Sequence, residues 1–127
     1  MSTAVQSTRE KQVVVDVGTK GVDLTSGAPH MTLQSVKHGF NGSRLPSVTY
    51  TCGGDEHGVL TAVNAEASEI LGKLQVGDTV RLIPRHIDPT VNMYQWFVVV
   101  DDEVSFGSES GPVVSSVWGI HGRSPGY

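Results

Sequence analysis

Short apolar runs, separated by glycine and proline turns, are the feature that most constrains the fold of this chain. Each run is rich in Val, Ile, Thr or aromatic residues, and turn signals recur roughly every eight to twelve residues. The predicted strands cover 12–16, 47–52, 59–63, 80–91, 94–100, 103–106 and 113–120. This spacing predicts an all-β fold, a small antiparallel barrel or sandwich. At most one short helix is expected, over 64–75, where Asn64 is suited to the N-cap and Gly72 limits the length.

The length of 127 residues allows a single domain with a modest hydrophobic core. We assign residues 12–127 to one β-domain and residues 1–11 to a polar N-terminal extension that is only partly ordered. Residues 40–46 contain an Asn-Gly pair and predict a turn-rich loop. Residues 30–39 fit a strand and an irregular link equally well, so both alternatives stay open.

Charge and cysteine content exclude several classes of function. A net charge of -4 gives no basic surface for nucleic acid, and the scattered basic residues form no polybasic membrane patch. Cys52 is the only cysteine, so no disulfide forms within the chain. The sequence shows neither a long apolar span nor the charged and apolar regions of a signal peptide. We therefore expect a cytoplasmic protein without a membrane or nucleic-acid partner.

The tripeptide His86-Ile87-Asp88 is the strongest candidate for chemistry. It falls in the predicted strand 80–91, where side chains two positions apart point to the same face. Pro84 and Pro89 flank it, and Pro89 favours an extended Asp88. An imidazole and a carboxylate suit a divalent cation such as Mn, Mg, Zn or Fe, with positions left open for water or substrate. The competing interpretation is an ordinary surface hydrogen-bonded pair.

The order of four motifs resembles one known family. These motifs are Val-Asp-Val-Gly-Thr-Lys at 15–20, Gly-Asp-Glu-His-Gly-Val-Leu at 54–60, the run 76–92, and Trp-Gly-Ile-His-Gly-Arg-Ser at 118–124. Together they resemble the C-terminal domain of the D-threonine aldolase and D-serine dehydratase family, over roughly residues 12–125. Glycine at 119, where the family more often has proline, and a longer loop at 107–112 are departures at the rim of the site.

The resemblance implies a metal site and a missing cofactor domain. Family members join a barrel that holds pyridoxal phosphate to a β-domain whose His and Asp ligands match His86 and Asp88. A divalent metal (Mn, Mg or Zn) then activates the β-hydroxyl of a D-amino acid for retro-aldol cleavage or dehydration. Asp at position 88 is more similar to the aldolase and hydroxyaspartate dehydratase branch. Glu56 and His57 are the catalytic candidates, near the metal, although they also fit a plain turn cap.

This chain departs from the family because it has no room for a barrel of roughly 250 residues. None of its lysines (Lys11, Lys20, Lys37 and Lys73) lies in the family's Schiff-base context. The resemblance thus implies that pyridoxal phosphate binds only through a missing barrel domain, so that the chain is a fragment of a longer enzyme or a separate subunit that completes a barrel chain. The aromatic residues near the proposed site (Tyr94, Trp96, Phe97 and Trp118) lead us to expect that the chain pairs with such a subunit or forms a homo-oligomer. The alternatives are a free-standing metal-dependent enzyme of different chemistry and a small-molecule-binding or interaction module.

Overall fold

A computed structural model describes residues 1–35, 40–44, 47–101 and 113–123. Within these ranges the chain forms nine strands and two helices. In chain order they are β1 (Ser2–Arg9), β2 (Gln12–Val15), β3 (His30–Ser35), β4 (Phe40–Arg44), β5 (Val48–Cys52), β6 (Gly58–Ala62), α1 (Ala65–Leu71), β7 (Thr79–Ile83), α2 (Ile87–Val91), β8 (Trp96–Asp101) and β9 (Val113–Gly119). The predicted all-β antiparallel fold is confirmed.

Seven of the strands form one antiparallel sheet in the order β4-β3-β7-β1-β2-β6-β5. Strand β1 lies at its centre, paired to β7 on one side and to β2 on the other. The sheet curls until β3 contacts β5, so that it becomes a nearly closed barrel. Loops at one end of this barrel carry the candidate functional residues.

The core fills the inside of the curled sheet with aliphatic side chains. Alternate residues of β2 and β7 point inward, and α1 covers one opening with Ala67 and Leu71. Full burial of such a side chain stabilises the fold by about 1.5–3 kcal/mol. The largest side chains that are fully buried are Met31, Leu60, Leu71, Leu82, Val5, Val13, Val15, Val22 and Val80.

Helix α1 confirms the predicted helical segment and its cap. The Asn64 side chain accepts a hydrogen bond from the backbone N–H of Ala67 at 2.8 Å, and Gly72 is the C-cap residue. The five-residue helix α2 is a second helix beyond the one expected. In the part of the chain that the structure describes, neither helix has the length and hydropathy needed to cross a membrane.

Two predictions for the first half of the chain are wrong. Residues 1–11 are not a partly ordered extension, because β1 pairs with β7 through Ser2 to Ala4 and with β2 through Val5 to Arg9. The polar surface side of a central strand resembles a disordered segment when only composition is considered. Residues 40–44 form β4 rather than a loop, and 30–35 form β3. The predicted strand 103–106 lies outside the described residues.

The predicted strand 80–91 is also wrong in its second half. It divides into β7, which ends at Ile83, and helix α2, which begins at Ile87. Pro84 has no N–H with which to extend the ladder. Pro89 lies in the first turn of α2, where backbone N–H groups have no partner within the helix, and it is therefore tolerated there.

Strands β8 and β9 form a separate two-stranded sheet, which we call the ribbon. Trp96 pairs with Gly119, Phe97 with Trp118, and Val98 with Val117. Opposed residues of an antiparallel pair share a face, so each face of the ribbon carries its own apolar set. Trp96 (60%), Val98 (61%) and Val117 (56%) are exposed on one face. Phe97 (44%) and Trp118 (60%) are exposed on the other.

Candidate functional site

The structure brings His86 and Asp88 together, but by a helix N-terminus rather than by a strand. His86 is the extended N-cap residue of α2, with φ -124° and ψ 116°, and its side chain makes no capping hydrogen bond. Asp88 lies in the first turn. The imidazole Nε2 and the carboxylate Oδ2 are 3.8 Å apart, and both side chains are exposed. The two groups can therefore approach one cation from solvent.

The loop between β2 and β3 holds His86 from the other side. Ser26 Oγ lies 3.3 Å from His86 Nδ1. The Thr90 hydroxyl donates to the His86 carbonyl at 3.0 Å and accepts from the Asp23 backbone N–H at 3.1 Å. In turn, the Thr25 hydroxyl donates to the Asp23 carboxylate at 2.9 Å. The imidazole is thus placed by contacts on its ring and on its backbone.

The donor set fits a hard or borderline divalent cation with two protein ligands. A neutral imidazole nitrogen and a carboxylate oxygen are suitable donors for Mn, Mg or Zn. Among the described residues, no group of three or more His, Cys, Asp or Glu side chains is placed to hold a metal. Because a structural zinc site is closed by four protein ligands, His86 and Asp88 suit an open site that water or substrate completes.

Glu56 and His57 lie in the turn between β5 and β6. The Gly53 N–H donates to the His57 carbonyl at 2.8 Å and closes this turn. Lys20 reaches across from the β2–β3 loop, with its Nζ 3.3 Å from Glu56 Oε1 and 3.4 Å from Asp55 Oδ2. The hydrogen bond and charge of Glu56, followed by those of Asp55, raise the pKa of the Lys20 ammonium. Lys20 is therefore a paired surface cation.

An acidic group and a phenol border the same ion pair. Asp16 accepts hydrogen bonds from the Thr3 hydroxyl and from the Ala4 N–H, the latter at 2.7 Å. Partial burial raises the pKa of Asp16, but these hydrogen bonds and the nearby His57 outweigh it and lower that pKa. The Tyr94 hydroxyl donates to the Gly21 carbonyl at 2.6 Å. Burial, and then the negative charge of Asp16, raise the pKa of Tyr94.

These side chains surround an open cavity of about 280 Å³, which we call the acidic cavity. Asp16, Lys20, Asp55, Glu56 and Tyr94 all line it. Close approach at its floor requires a glycine, because a Cβ on Gly18 would lie 2.1 Å from the Gly54 carbonyl oxygen. The chain therefore has a small polar cavity whose lining includes three carboxylates, the Lys20 ammonium and Met1 with its N-terminal amino group.

The two predicted pairs, His86 with Asp88 and Glu56 with His57, have different neighbours, but one segment of the chain contacts both. The segment 16–26 contacts Glu56 through Lys20 and His86 through Ser26. Sequence reasoning missed Ser26 and Asp16 as parts of these surroundings. The Ser-Gly pair at 26–27 signalled only a turn, and no spacing in the sequence pairs Ser26 with a histidine 60 positions later.

Known proteins with similar sequences are lyases of D-hydroxy amino acids. The chain is 33% identical over 114 residues to 3-hydroxy-D-aspartate aldolase of Paracoccus denitrificans, covering 90% of this chain and 22% of that protein. It is 29% identical over 124 residues to D-threonine aldolase of Arthrobacter sp., covering 97% of this chain and 26% of that protein. The chain thus spans about a quarter of the length of these curated relatives.

Two solved structures of enzymes that act on D-hydroxy amino acids are also similar to this chain. The chain matches D-threonine aldolase from Filomicrobium marinum with a TM-score of 0.65 and 28% identity, over 93% of this chain and 26% of that one. A D-threo-3-hydroxyaspartate dehydratase, solved in its metal-free form, matches with a TM-score of 0.58 over 80% of this chain and 28% of that one. At 16% identity this second likeness shows a shared fold.

The family assignment rests on a direct sequence match. The sequence model described as "Putative serine dehydratase domain" matches residues 1–100, which is well over half of the chain. The resemblance to the D-threonine aldolase and D-serine dehydratase family, predicted from the order of its motifs, is confirmed by this match and by the two aldolases. This chain therefore belongs to the "Putative serine dehydratase domain" family.

Proposed function

We propose that this chain is the metal-binding β-domain, or a separate β-subunit, of a pyridoxal-phosphate-dependent lyase of D-β-hydroxy amino acids. The observation that carries the proposal is the convergence of His86 Nε2 and Asp88 Oδ2, 3.8 Å apart and open to solvent. The names of the relatives, a 3-hydroxy-D-aspartate aldolase and a D-threonine aldolase, support the substrate class. Retro-aldol cleavage and dehydration both begin at the β-hydroxyl of such a substrate.

In this proposal, His86 and Asp88 hold a divalent cation at the mouth of the β-domain. A cation bound there supplies Lewis acidity, which lowers the pKa of a substrate hydroxyl. His86 contributes a neutral nitrogen and Asp88 a negative oxygen, so one unit of the cation's charge remains uncompensated. The exposure of both side chains leaves room for the substrate to approach. The role of these two residues is therefore to fix the place at which the hydroxyl is activated.

We further propose that Glu56 and His57 lie toward the substrate and act on its protons. Glu56 is held in place by Lys20, and His57 lies close enough to Asp16 to alter the pKa of that carboxyl group. Glu56 lines the acidic cavity and His57 is the next residue of the same turn, and a carboxylate and an imidazole are suitable as general base and acid. Their placement on a turn closed by the Gly53–His57 hydrogen bond keeps both groups at the barrel end.

Lys20 does not fit the role of a Schiff-base lysine. Such a lysine must lose its proton and is usually desolvated. The Lys20 ammonium is instead exposed and held between two carboxylates, which raise its pKa. We therefore propose that pyridoxal phosphate is bound by the part of the relatives that this chain does not span, about three quarters of their length.

Calorimetric titration with Mn²⁺ and Zn²⁺ tests the metal site. We expect wild-type protein to bind one equivalent weakly, because two protein ligands are few. His86→Ala and Asp88→Asn should each abolish this binding. His121→Ala, at an exposed histidine after β9, is the matched control and should bind as wild type does. Equal binding by wild type and His86→Ala would refute the site.

A further inference from the structure

The turn that carries Ser26 is built against the residues next to His86. The Gly27 N–H donates to the Leu24 carbonyl at 3.0 Å, which closes a four-residue turn with Ser26 at its third position. Gly27 has φ +106°, a conformation that favours glycine. A Cβ added to Gly27 would lie 3.8 Å from Nε of Arg85, so the turn lies beside the residue before His86.

A buried hydroxyl fixes the distance between this turn and helix α2. Thr90 is 4% exposed, and its hydroxyl accepts from the Asp23 N–H while donating to the His86 carbonyl. Asp23 is also buried, and its carboxylate accepts the Thr25 hydroxyl. The backbone on both sides of the Ser26–His86 contact is therefore tied together, and Ser26 Oγ is held opposite the imidazole.

The two ring nitrogens of His86 have different surroundings. Nδ1 lies 3.3 Å from Ser26 Oγ, which is within hydrogen-bond range. Nε2 lies 3.8 Å from Asp88 Oδ2, which is beyond it. We propose that Ser26 is a positioning residue: its oxygen accepts the Nδ1–H of neutral His86 and leaves the Nε2 lone pair facing Asp88. The effect of this hydrogen bond on cation binding rests on the proposed function, whereas the hydrogen bond itself does not.

The tautomer of His86 can be read without any metal. Two-bond ¹H–¹⁵N correlation spectra of the full chain, at about pH 9 where imidazoles are neutral, distinguish protonated from unprotonated ring nitrogens. We expect His86 to be protonated mainly on Nδ1 in wild type. In Ser26→Ala this preference should be lost, and in Ser26→Thr, which keeps the hydroxyl, it should be retained. A wild-type His86 protonated on Nε2, or a tautomer unchanged in Ser26→Ala, would overturn the proposal.

Cation binding provides the second readout. We expect Ser26→Ala to weaken Mn²⁺ binding about tenfold or more, as loss of a group that orients a ligand commonly does, and Ser26→Thr to restore it. Ser7→Ala, at an exposed serine near the far end of β1, controls for loss of a hydroxyl. Wild-type affinity in a folded Ser26→Ala would overturn the positioning role. Mn²⁺ binding that survives His86→Ala would overturn the metal site alone, because the NMR measurement of the His86 tautomer tests the Ser26–His86 hydrogen bond independently of any metal.

Discussion

At the scale of single residues, Asp16 both lines the acidic cavity and binds the central strand β1. Its carboxylate accepts hydrogen bonds from Thr3 and Ala4 of β1, and these lower its pKa in the folded chain. A carboxyl group whose folded pKa lies below its unfolded pKa stabilises the fold above the unfolded value, which is about 3.9 for Asp. That contribution is lost as the pH falls through the folded-state pKa.

We therefore expect Asp16→Asn to change the acid limb of the stability profile. Wild-type protein should lose free energy of unfolding below about pH 4, and Asp16→Asn, which cannot gain this proton, should lose less. Urea unfolding followed by circular dichroism across the acid range measures both curves. Glu69→Gln, on α1, is the control for removal of one negative charge. Parallel acid limbs for wild type and Asp16→Asn would contradict a stabilising role for this carboxylate.

Thr90 offers a second test at the residue scale. Thr90→Val keeps the shape of the side chain but removes the hydroxyl that accepts the buried Asp23 N–H. Leaving a buried donor unsatisfied costs about 1–3 kcal/mol, and we expect that loss in the free energy of unfolding. Thr79→Val, at an exposed position of β7, should change it by less than about 0.5 kcal/mol. Equal effects of the two substitutions would show that the Asp23–Thr90 link contributes nothing.

At the scale of elements, α1 depends on its N-cap. The Asn64 side chain accepts from the Ala67 N–H at 2.8 Å and donates to Ser47 Oγ at 3.0 Å. We expect Asn64→Ala to lower the free energy of unfolding by about 1 kcal/mol. Asn64→Asp keeps the acceptor and loses only the donor, so it should cost less. Chemical denaturation of the two variants separates these contributions, and equal losses would argue against capping by the side-chain oxygen.

The elements also show what sequence can predict. Strands β2, β5, β6 and β9 were predictable because their β-branched runs end at clear turn signals, and α1 because of its cap. Strand β1 was missed because its polar residues lie on an exposed face, which composition does not distinguish from disorder. Helix α2 was missed because an X-Pro pair favours extended backbone, whereas the first helical turn accepts proline.

The candidate site, too, was predictable only in part. Convergence of His86 and Asp88 was predicted, although on the wrong element. His86 keeps an extended backbone as the N-cap residue of α2, and its side chain still lies within reach of the ion that Asp88 can bind. The surroundings of His86 were not predictable, since Ser26 and Thr90 reach it through tertiary contacts. Hydrogen bonds between segments that are distant in sequence leave no periodic signal.

At the scale of the whole molecule, the ribbon predicts association. A two-stranded sheet is only marginally stable alone, and this one exposes Trp96 and Val98 on one face and Trp118 on the other. Such apolar patches commonly mark interfaces. We expect the chain to self-associate, or to pair with a barrel subunit, with the His86 end turned toward that partner.

Light scattering after size-exclusion chromatography tests this expectation. Val98→Lys with Val117→Glu places opposite charges on a directly opposed pair, so the ribbon keeps a favourable cross-strand contact while its face becomes polar. We expect this double variant to be more monomeric than wild type. Val63→Lys with Val76→Glu, at exposed valines outside the ribbon, is the matched control. A wild-type chain that stays monomeric at high concentration and does not bind a barrel subunit would contradict the prediction.

The 60-residue separation between Ser26 and His86 has a consequence for protein engineering. Transplanting the tripeptide 86–88 into another β-domain would carry over the donor atoms without the contacts that orient them. The smallest portable unit is instead a pair of segments, the turn at 23–27 and the helix with its N-cap at 86–91, joined through the Thr90 hydroxyl. A host scaffold must therefore offer two loops at the correct spacing.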